Sequence, residues 1–437
     1  MNPPSSERAP AAVERAPFWA HPIGFWFIFW GELAERASFY GMRTILGTYM
    51  TDRLEFAQNT ATTVVHLFIA AVYFLPLLGG YIADRHLGKY RTIVYFCLPY
   101  ILGHVVMGVE SRWMLVLALL LLAMGSGVTK PNISPLMGMT YDQQRPGQIK
   151  LRSDAFAMFY FAINVGAALS QWAIPEIKEK AGFSIAFLCP AALMVVAFGI
   201  FASGKRFYAK EEIRRTAATP EDRRQRWAVL KRLLGLFLAV AFFWSVFDQQ
   251  SSTWVFLAKD YMDLRALGHE WTPEQLQFLN PAFLLLLLPL ASVAWRVLAR
   301  CGIHLRATDK MMIGFVLAVG TTVLMTLAGY RAAEGEKISV WWEIWAYVLL
   351  TAAEVCISPV GLELAFASAP ESMKSFVTAC WLVAVFGGNL LNSGIGLAYK
   401  RWLAPGPFFA IQLATMVVVG VAFLVIARQF NRVAHVD

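Results

Sequence analysis

An all-α membrane protein, with twelve transmembrane helices in two six-helix halves, is the fold class that this sequence predicts. Three observations carry it. Hydrophobic residues make up 58% of the 437 residues and charged residues only 15%, with a mean hydropathy of +0.53; a soluble domain carries about 25% charged residues. Apolar runs of bilayer-spanning length recur at 19–48, 61–83, 91–109, 112–136, 152–174, 183–203, 233–258, 276–299, 309–330, 341–368, 375–399 and 406–430. The longest polar gap, 204–232, holds ten Lys and Arg and falls between the sixth and seventh runs. It sets an N-terminal half at 1–203, a basic linker at 204–232 and a C-terminal half at 233–437.

The basic residues also predict sidedness. With the N-terminus cytoplasmic, twenty-five of the 38 Lys and Arg fall in cytoplasmic segments, Lys374 among them, and ten in outer loops. The remaining three, Arg36, Arg43 and Lys130, lie within spans. The positive-inside rule then places both termini in the cytoplasm. The net charge of +9 is thus a matter of topology, and no nucleic-acid partner is expected. The five cysteines are widely spaced without Cys-x-x-Cys, so they read as small apolar fillers. The polar, Pro/Ala-rich start is followed by a run too long for a signal peptide.

The first span carries the densest charge. Glu32, Glu35, Arg36, Phe39, Tyr40 and Arg43 fall within a sector of about 140° on an ideal helix. An ionisable side chain at membrane depth costs about 2.5–3.5 kcal/mol, so such residues are read as functional and in need of partners. A structural ion pair joining two helices is the plainer alternative. In the second span His66 and Tyr73 share a face, and a histidine there can take up and release a proton near neutral pH. The following turn, Gly80 to Arg91, contains Asp84 and Arg85 and is expected to serve gating structure. Asp84 is suited to helix N-termini or arginines.

The fourth span ends in Gly125-Ser126-Gly127-Val128-Thr129-Lys130-Pro131-Asn132. Lys130 needs an anion at depth, for which Glu32 or Glu35 is the obvious source. In the fifth, Asn164 can donate and accept hydrogen bonds, either to a ligand or as glue between helices. The seventh holds Trp244 and Asp248, a second intramembrane acid, and the eighth opens with Asn280-Pro281. The tenth contains Glu354 and Glu363, which nine residues of ideal helix put on opposite faces, with Pro359 between them as a potential hinge. No His-Glu-x-x-His or Gly-x-Ser-x-Gly occurs, and the P-loop-like spacing at 199–205 lacks its Ser/Thr. No catalytic or metal site and no cofactor is expected. Uphill transport would draw on an ion gradient, and buried acids with a histidine make the proton the natural coupling ion.

Together these residues resemble the proton-dependent oligopeptide transporter family of the major facilitator superfamily. Glu32-x-x-Glu35-Arg36-x-Ser38-Phe39-Tyr40-Gly41 is similar to that family's Glu-x-x-Glu-Arg-Phe-x-Tyr-Tyr-Gly, with Ala37 and Phe39 as departures. Gly79 to Thr92, Lys130-Pro131-Asn132, Phe159-Tyr160-x-x-Ile163-Asn164-x-Gly166 and Ser358-Pro359-x-Gly361-Leu362-Glu363 also match in order, as do Ala369-Pro370-x-x-Met373-Lys374-Ser375 and Trp381. His66 and Phe247-Asp248-Gln249-Gln250 are closer to the animal branch. That branch's large insert between spans 9 and 10 has no counterpart in the short segment 330–340, and the two extra helices common in bacterial members have none in the polar segment 204–232, so the resemblance implies a compact twelve-helix bacterial member in the inner membrane.

The resemblance implies a proton-coupled symporter of di- and tripeptides, working by alternating access as a monomer. By carry-over, Arg36, Arg43 and Lys130 receive the peptide carboxylate. Asn164, Asn280 and Glu363 hold its amino terminus, and Tyr40, Tyr73, Trp244 and Trp381 line side-chain pockets. Glu32, Glu35, His66, Asp248 and Glu363 are the expected proton-coupling residues, with deprotonated Glu32 and Glu35 holding Lys130 and Arg36. The alternative substrate is another anion, such as nitrate or a drug-like acid.

Overall fold

The computed structural model describes residues 20–211, 220–367 and 374–433. Twelve membrane-length helices follow one another among the described residues. They are α1 (Ile23–Thr48), α2 (Gln58–Phe74, running on as Pro76–Ile82), α3 (Lys89–Met107), α4 (Arg112–Gln144), α5 and α6 within Ile149–Ser203, and α7 (Pro220–Phe247, continued after a 3-10 turn by Thr253–Tyr261). The chain ends with α8 (Leu279–Arg300), α9 (Ala307–Arg331), α10 (Trp341–Ala367), α11 (Lys374–Ile395) and α12 (Pro405–Val433). Gly182 separates α5 (149–181) from α6 (183–203), because its φ of 82° and ψ of 171° leave the helical region at a residue with no Cβ to clash.

Ten described stretches are long and apolar enough to cross a membrane, with 149–207 counted as one. Division at Gly182 adds one. The other is α1, whose charged residues Glu32, Glu35, Arg36 and Arg43 depress its hydropathy. The mean composition of a span thus hides the helix that carries the most chemistry.

Two boundaries differ from expectation. α4 continues through Pro131 and Pro135 to Gln144, and α7 begins at Pro220, well inside the expected linker. The linker's first residues are also tied to the N-terminal half. The Ala209 amide donates to Thr140 Oγ1 at 3.2 Å. Gln143 exchanges hydrogen bonds with the Lys210 backbone in both directions. Glu211 accepts the Lys89 and Tyr90 amides that open α3. Asp84 therefore does not hold that helix N-terminus. It pairs with Lys89 Nζ at 2.8 Å, and Arg85 lies 5.5 Å from the Tyr81 ring. Pro359 sits inside α10, which runs on through it. Arg214, Arg215, Ala369, Pro370 and Met373, both tails, and the side chains of Arg223, Lys374 and Ser375 lie outside the described residues.

Helices in a bilayer gain little from burying apolar surface against each other, so close approach of backbones matters more. Gly166 supplies one such approach: a Cβ there would stand 2.5 Å from the Leu33 carbonyl oxygen, on α1. Gly79 supplies another, with a Cβ 2.7 Å from the Val128 backbone on α4. α1 packs along α5 and α6, and α3 along α4; in the C-terminal half α9 packs on α10 and α12. The halves meet where α2 lies against α11 and α5 against α8. Two short strand pairs, Met262–Asp263 with Ile338–Ser339 and Arg265–Ala266 with His269–Glu270, cover the end away from the linker.

Candidate functional site

A cavity of about 320 Å³ opens between the halves. Its N-terminal wall comes mainly from α1, which turns Glu32, Arg36, Tyr40 and Arg43 toward it, with Tyr73, Lys130 and Asn164 beside them. The C-terminal wall carries Trp244, Asp248, Asn280 and Glu354. Eleven of the residues named from sequence thus meet in one space.

The acids of α1 are not shared as expected. Arg36 Nε is held by Glu35, in a very short contact, and by Glu32 Oε1 at 3.2 Å. All three side chains are almost fully buried. Lys130 pairs with neither acid. Its ammonium lies 4.2 Å from the centre of the Tyr73 ring, a cation–π contact. The reason is reach: Glu32 and Arg36 are one turn apart on the same helix and satisfy each other locally. Among the described residues, Arg36 Nη2 and Arg43 Nε remain buried without an acceptor.

Arg43 crosses the interface. Its Nη2 donates to Asp248 Oδ1 at 2.8 Å and to Ser251 Oγ at 3.0 Å. The other Asp248 oxygen accepts Asn389 Nδ2 at 2.7 Å. Asn389 Oδ1 lies 3.0 Å from His66 Nδ1, and His66 Nε2 lies 2.8 Å from Ser252 Oγ. His66 is fully buried and does not line the cavity. It stands behind Asp248, with Asn389 as the bridge. Nothing in the sequence marked Asn389, since an asparagine in an apolar span reads equally well as helix glue.

Further ties between the halves lie nearer the end away from the linker. Glu274 accepts Thr48 Oγ1 and Lys178 Nζ, and Lys259 pairs with Asp52. Gln58 Nε2 donates to Asp260 Oδ2 at 2.8 Å. The Gln277 amide reaches the Thr44 carbonyl at 3.0 Å.

Two expected site residues are elsewhere. Glu363 is exposed and does not line the cavity. Glu354 takes its place, accepting Asn280 Nδ2 at 3.0 Å. The opposite-face argument had divided the two acids correctly but could not say which faced inward. Midspan depth favours Glu354, with Glu363 lying past Pro359. Trp381 is buried against Gly361, where a Cβ would meet its ring at 2.8 Å, so it packs α10 on α11 and leaves the cavity free. Tyr160, Gln171, Gln250 and Gln277 also line the space. They were not singled out as site residues, because a neutral polar or aromatic side chain in a span reads equally well as helix packing.

A family profile described as "PTR2: POT family" matches residues 90–231 and 211–401. The chain is 35% identical over 373 residues to Peptide transporter family 1 of Drosophila melanogaster, covering 72% of this chain and 50% of that protein. It is 31% identical over 366 residues to Solute carrier family 15 member 1 of Homo sapiens, covering 69% and 51%. The chain spans about half the length of the curated relatives it matches. Among solved structures, it is similar to an auto-inhibited POT family peptide transporter, with TM-score 0.85, 26% identity, and 93% and 97% of the two chains covered. It is also similar to the POT family transporter PepTSo, with TM-score 0.84, 27% identity, and 94% and 99% covered.

Proposed function

The chain belongs to the POT family, and from that premise we propose that it is a proton-coupled symporter importing di- and tripeptides by alternating access. One observation carries this reading: the cavity is polarised. Arg36, Arg43 and Lys130 line one wall, and the Glu354–Asn280 pair lines the other. A peptide is a zwitterion with a carboxylate at one end and an ammonium at the other, and a cavity of about 320 Å³ lies at the small end of the roughly 300–1,000 Å³ of small-molecule sites. The unpartnered N–H groups of Arg36 and Arg43 suit the carboxylate, since a guanidinium offers it a planar two-point contact. Glu354 suits the ammonium group, a partner that a lone anion such as nitrate does not need.

Coupling follows from competition for charge. Glu32 and Glu35 occupy Arg36. Protonation of Glu32 frees part of the guanidinium for the peptide carboxylate, so proton and peptide favour each other's binding. The second switch is the Arg43–Asp248 bridge between the halves. A proton on Asp248 neutralises one partner and loosens that contact, and His66, tied to the same carboxylate through the Asn389 hydrogen bonds, senses the change. We take the end away from the linker as extracellular, so the cross-links there describe a state closed to the outside. Both termini then lie in the cytoplasm of a bacterial inner membrane. The transporter works as a monomer, and the proton is the only other requirement.

Reconstitution tests the reading. Proteoliposomes holding only this protein are expected to accumulate labelled dipeptide when the outside is made acidic. In Glu32→Gln, exchange of peptide across the membrane persists and accumulation is lost. Accumulation at the wild-type rate in that variant would remove Glu32 from the coupling. Labelled nitrate uptake that dialanine does not inhibit would move the substrate to the anion class.

A further inference from the structure

The C-terminal half contains a buried carboxyl that the transport cycle above does not use. Glu343 lies in the first turn of α10 with no exposed surface. Among the described residues, neither of its carboxyl oxygens has a hydrogen-bond partner. Two tyrosines close to it are in the same condition: Tyr347 and Tyr399 are fully buried, and both hydroxyls lack a partner among the described residues. Four orphaned polar atoms therefore gather in one part of an otherwise apolar half.

A buried carboxylate with neither cation nor donor is costly enough that such a group takes up a proton instead. Among the described residues, the cations in this part of the molecule are already paired. On α10 itself Tyr347 stands one turn further along. From the turn before α12 comes Tyr399, which is within reach of Glu343, Asp260 and Tyr261. Lys400 is the neighbouring cation, 6.0 Å from the Tyr399 ring, and it is already paired with Asp260. Arg43 is already paired with Asp248.

The placement on α10 gives the group a consequence. Residues 343, 347 and 354 fall within a sector of about 40° and along about 16 Å of ideal helix. One face of α10 thus runs from Glu343, past Tyr347 beside Trp254, to Glu354 in the cavity. Trp254 stands three residues after the Asp248–Ser251 turn, and that turn is where Arg43 binds across the halves.

We propose that Glu343 is a proton-binding site separate from the cavity acids, and that Tyr347 couples its charge to the Arg43–Asp248 bridge. One proton adds to the Glu343 carboxylate to give the neutral acid while the end away from the linker is closed. Opening of that end admits water, and the same proton leaves. The binding of the proton stands on the geometry alone; its effect on transport rests on the function proposed above.

Infrared difference spectroscopy of the full-length protein, without substrate, reads the proton directly. The wild type is expected to show a protonated-carboxyl C=O band at neutral pH that is missing in Glu343→Gln. Superimposable spectra would overturn the site. Should Glu343→Gln not fold, Tyr347→Phe is expected to keep the band and shift it, and an unmoved band would overturn the role of Tyr347. In proteoliposomes, Glu343→Gln is expected to retain peptide exchange while its proton-driven uptake has a displaced pH profile. An unchanged profile would overturn the coupling. Absence of dipeptide uptake in the wild type would instead count against the transport reading, and the infrared result would still decide the proton site.

Discussion

Arg36 and Arg43 stand seven residues apart on one face of α1, yet they meet different acids. Arg36 pairs through Nε within its own helix with Glu32 and Glu35, whereas Arg43 reaches Asp248 in the other half. Removing one member of a buried pair leaves an uncompensated charge, at a cost of about 3–5 kcal/mol. Asp248→Ala is therefore expected to lower the melting temperature of the purified protein markedly, and Arg43→Ala added to it to recover much of the loss. A double-mutant cycle without coupling energy would remove the pair from the stability account. Glu354 makes a different prediction. Glu354→Gln is expected to weaken uptake of dipeptides with a free amino terminus and to leave competition by N-acetylated dipeptides nearly unchanged. Equal losses for both would break the link to the ammonium group.

At the scale of the helix, small residues decide how closely elements approach. Gly166 brings α5 onto α1, with a Cβ position 2.5 Å from the Leu33 carbonyl. Leu33 directly follows Glu32, so the contact also sets where the acidic stripe stands. Gly166→Val forces the two backbones apart, and overpacking of this kind costs about 1–3 kcal/mol. The expected outcome is a lower melting temperature together with weakened dipeptide binding, measured on the same preparation. A variant with normal stability and normal affinity would show that α1 can shift without disturbing the cavity. The linker end has its own device: Glu211 caps α3 through the Lys89 and Tyr90 amides, so the start of the expected linker moves with the N-terminal half.

For the whole molecule, the contacts between halves set the state. Glu274 gathers Thr48 and Lys178 in a nearly water-free setting, while Lys259–Asp52 is partly exposed and worth correspondingly less. Glu274→Gln is expected to shift the population toward opening at that end. Spin labels on the α1–α2 and α7–α8 loops would report a larger share of long distances. An unaltered distribution would assign the closure to the Arg43–Asp248 bridge and the helix packing alone.

Much of this protein was legible in its sequence. Spans declare themselves through runs of apolar residues, because the bilayer tolerates little else. Charges inside such runs single themselves out by their cost, which is why Glu32, Arg36, Arg43, Lys130 and Asp248 could be named before any fold was known. Helix ends were less legible, since α4 runs on through two prolines and α7 begins within charged residues. Pairing was not legible. Periodicity placed Glu354 and Glu363 on opposite faces, but only the packing of α10 against α8 turned Glu354 to the cavity and left Glu363 exposed. The same holds for Asn389 between His66 and Asp248, and for Lys130 resting on Tyr73 instead of an acid. Sequence determines which groups are expensive to bury, because that cost is local. The choice of the partner that meets the cost belongs to the tertiary structure, because it depends on which helices the two halves bring side by side.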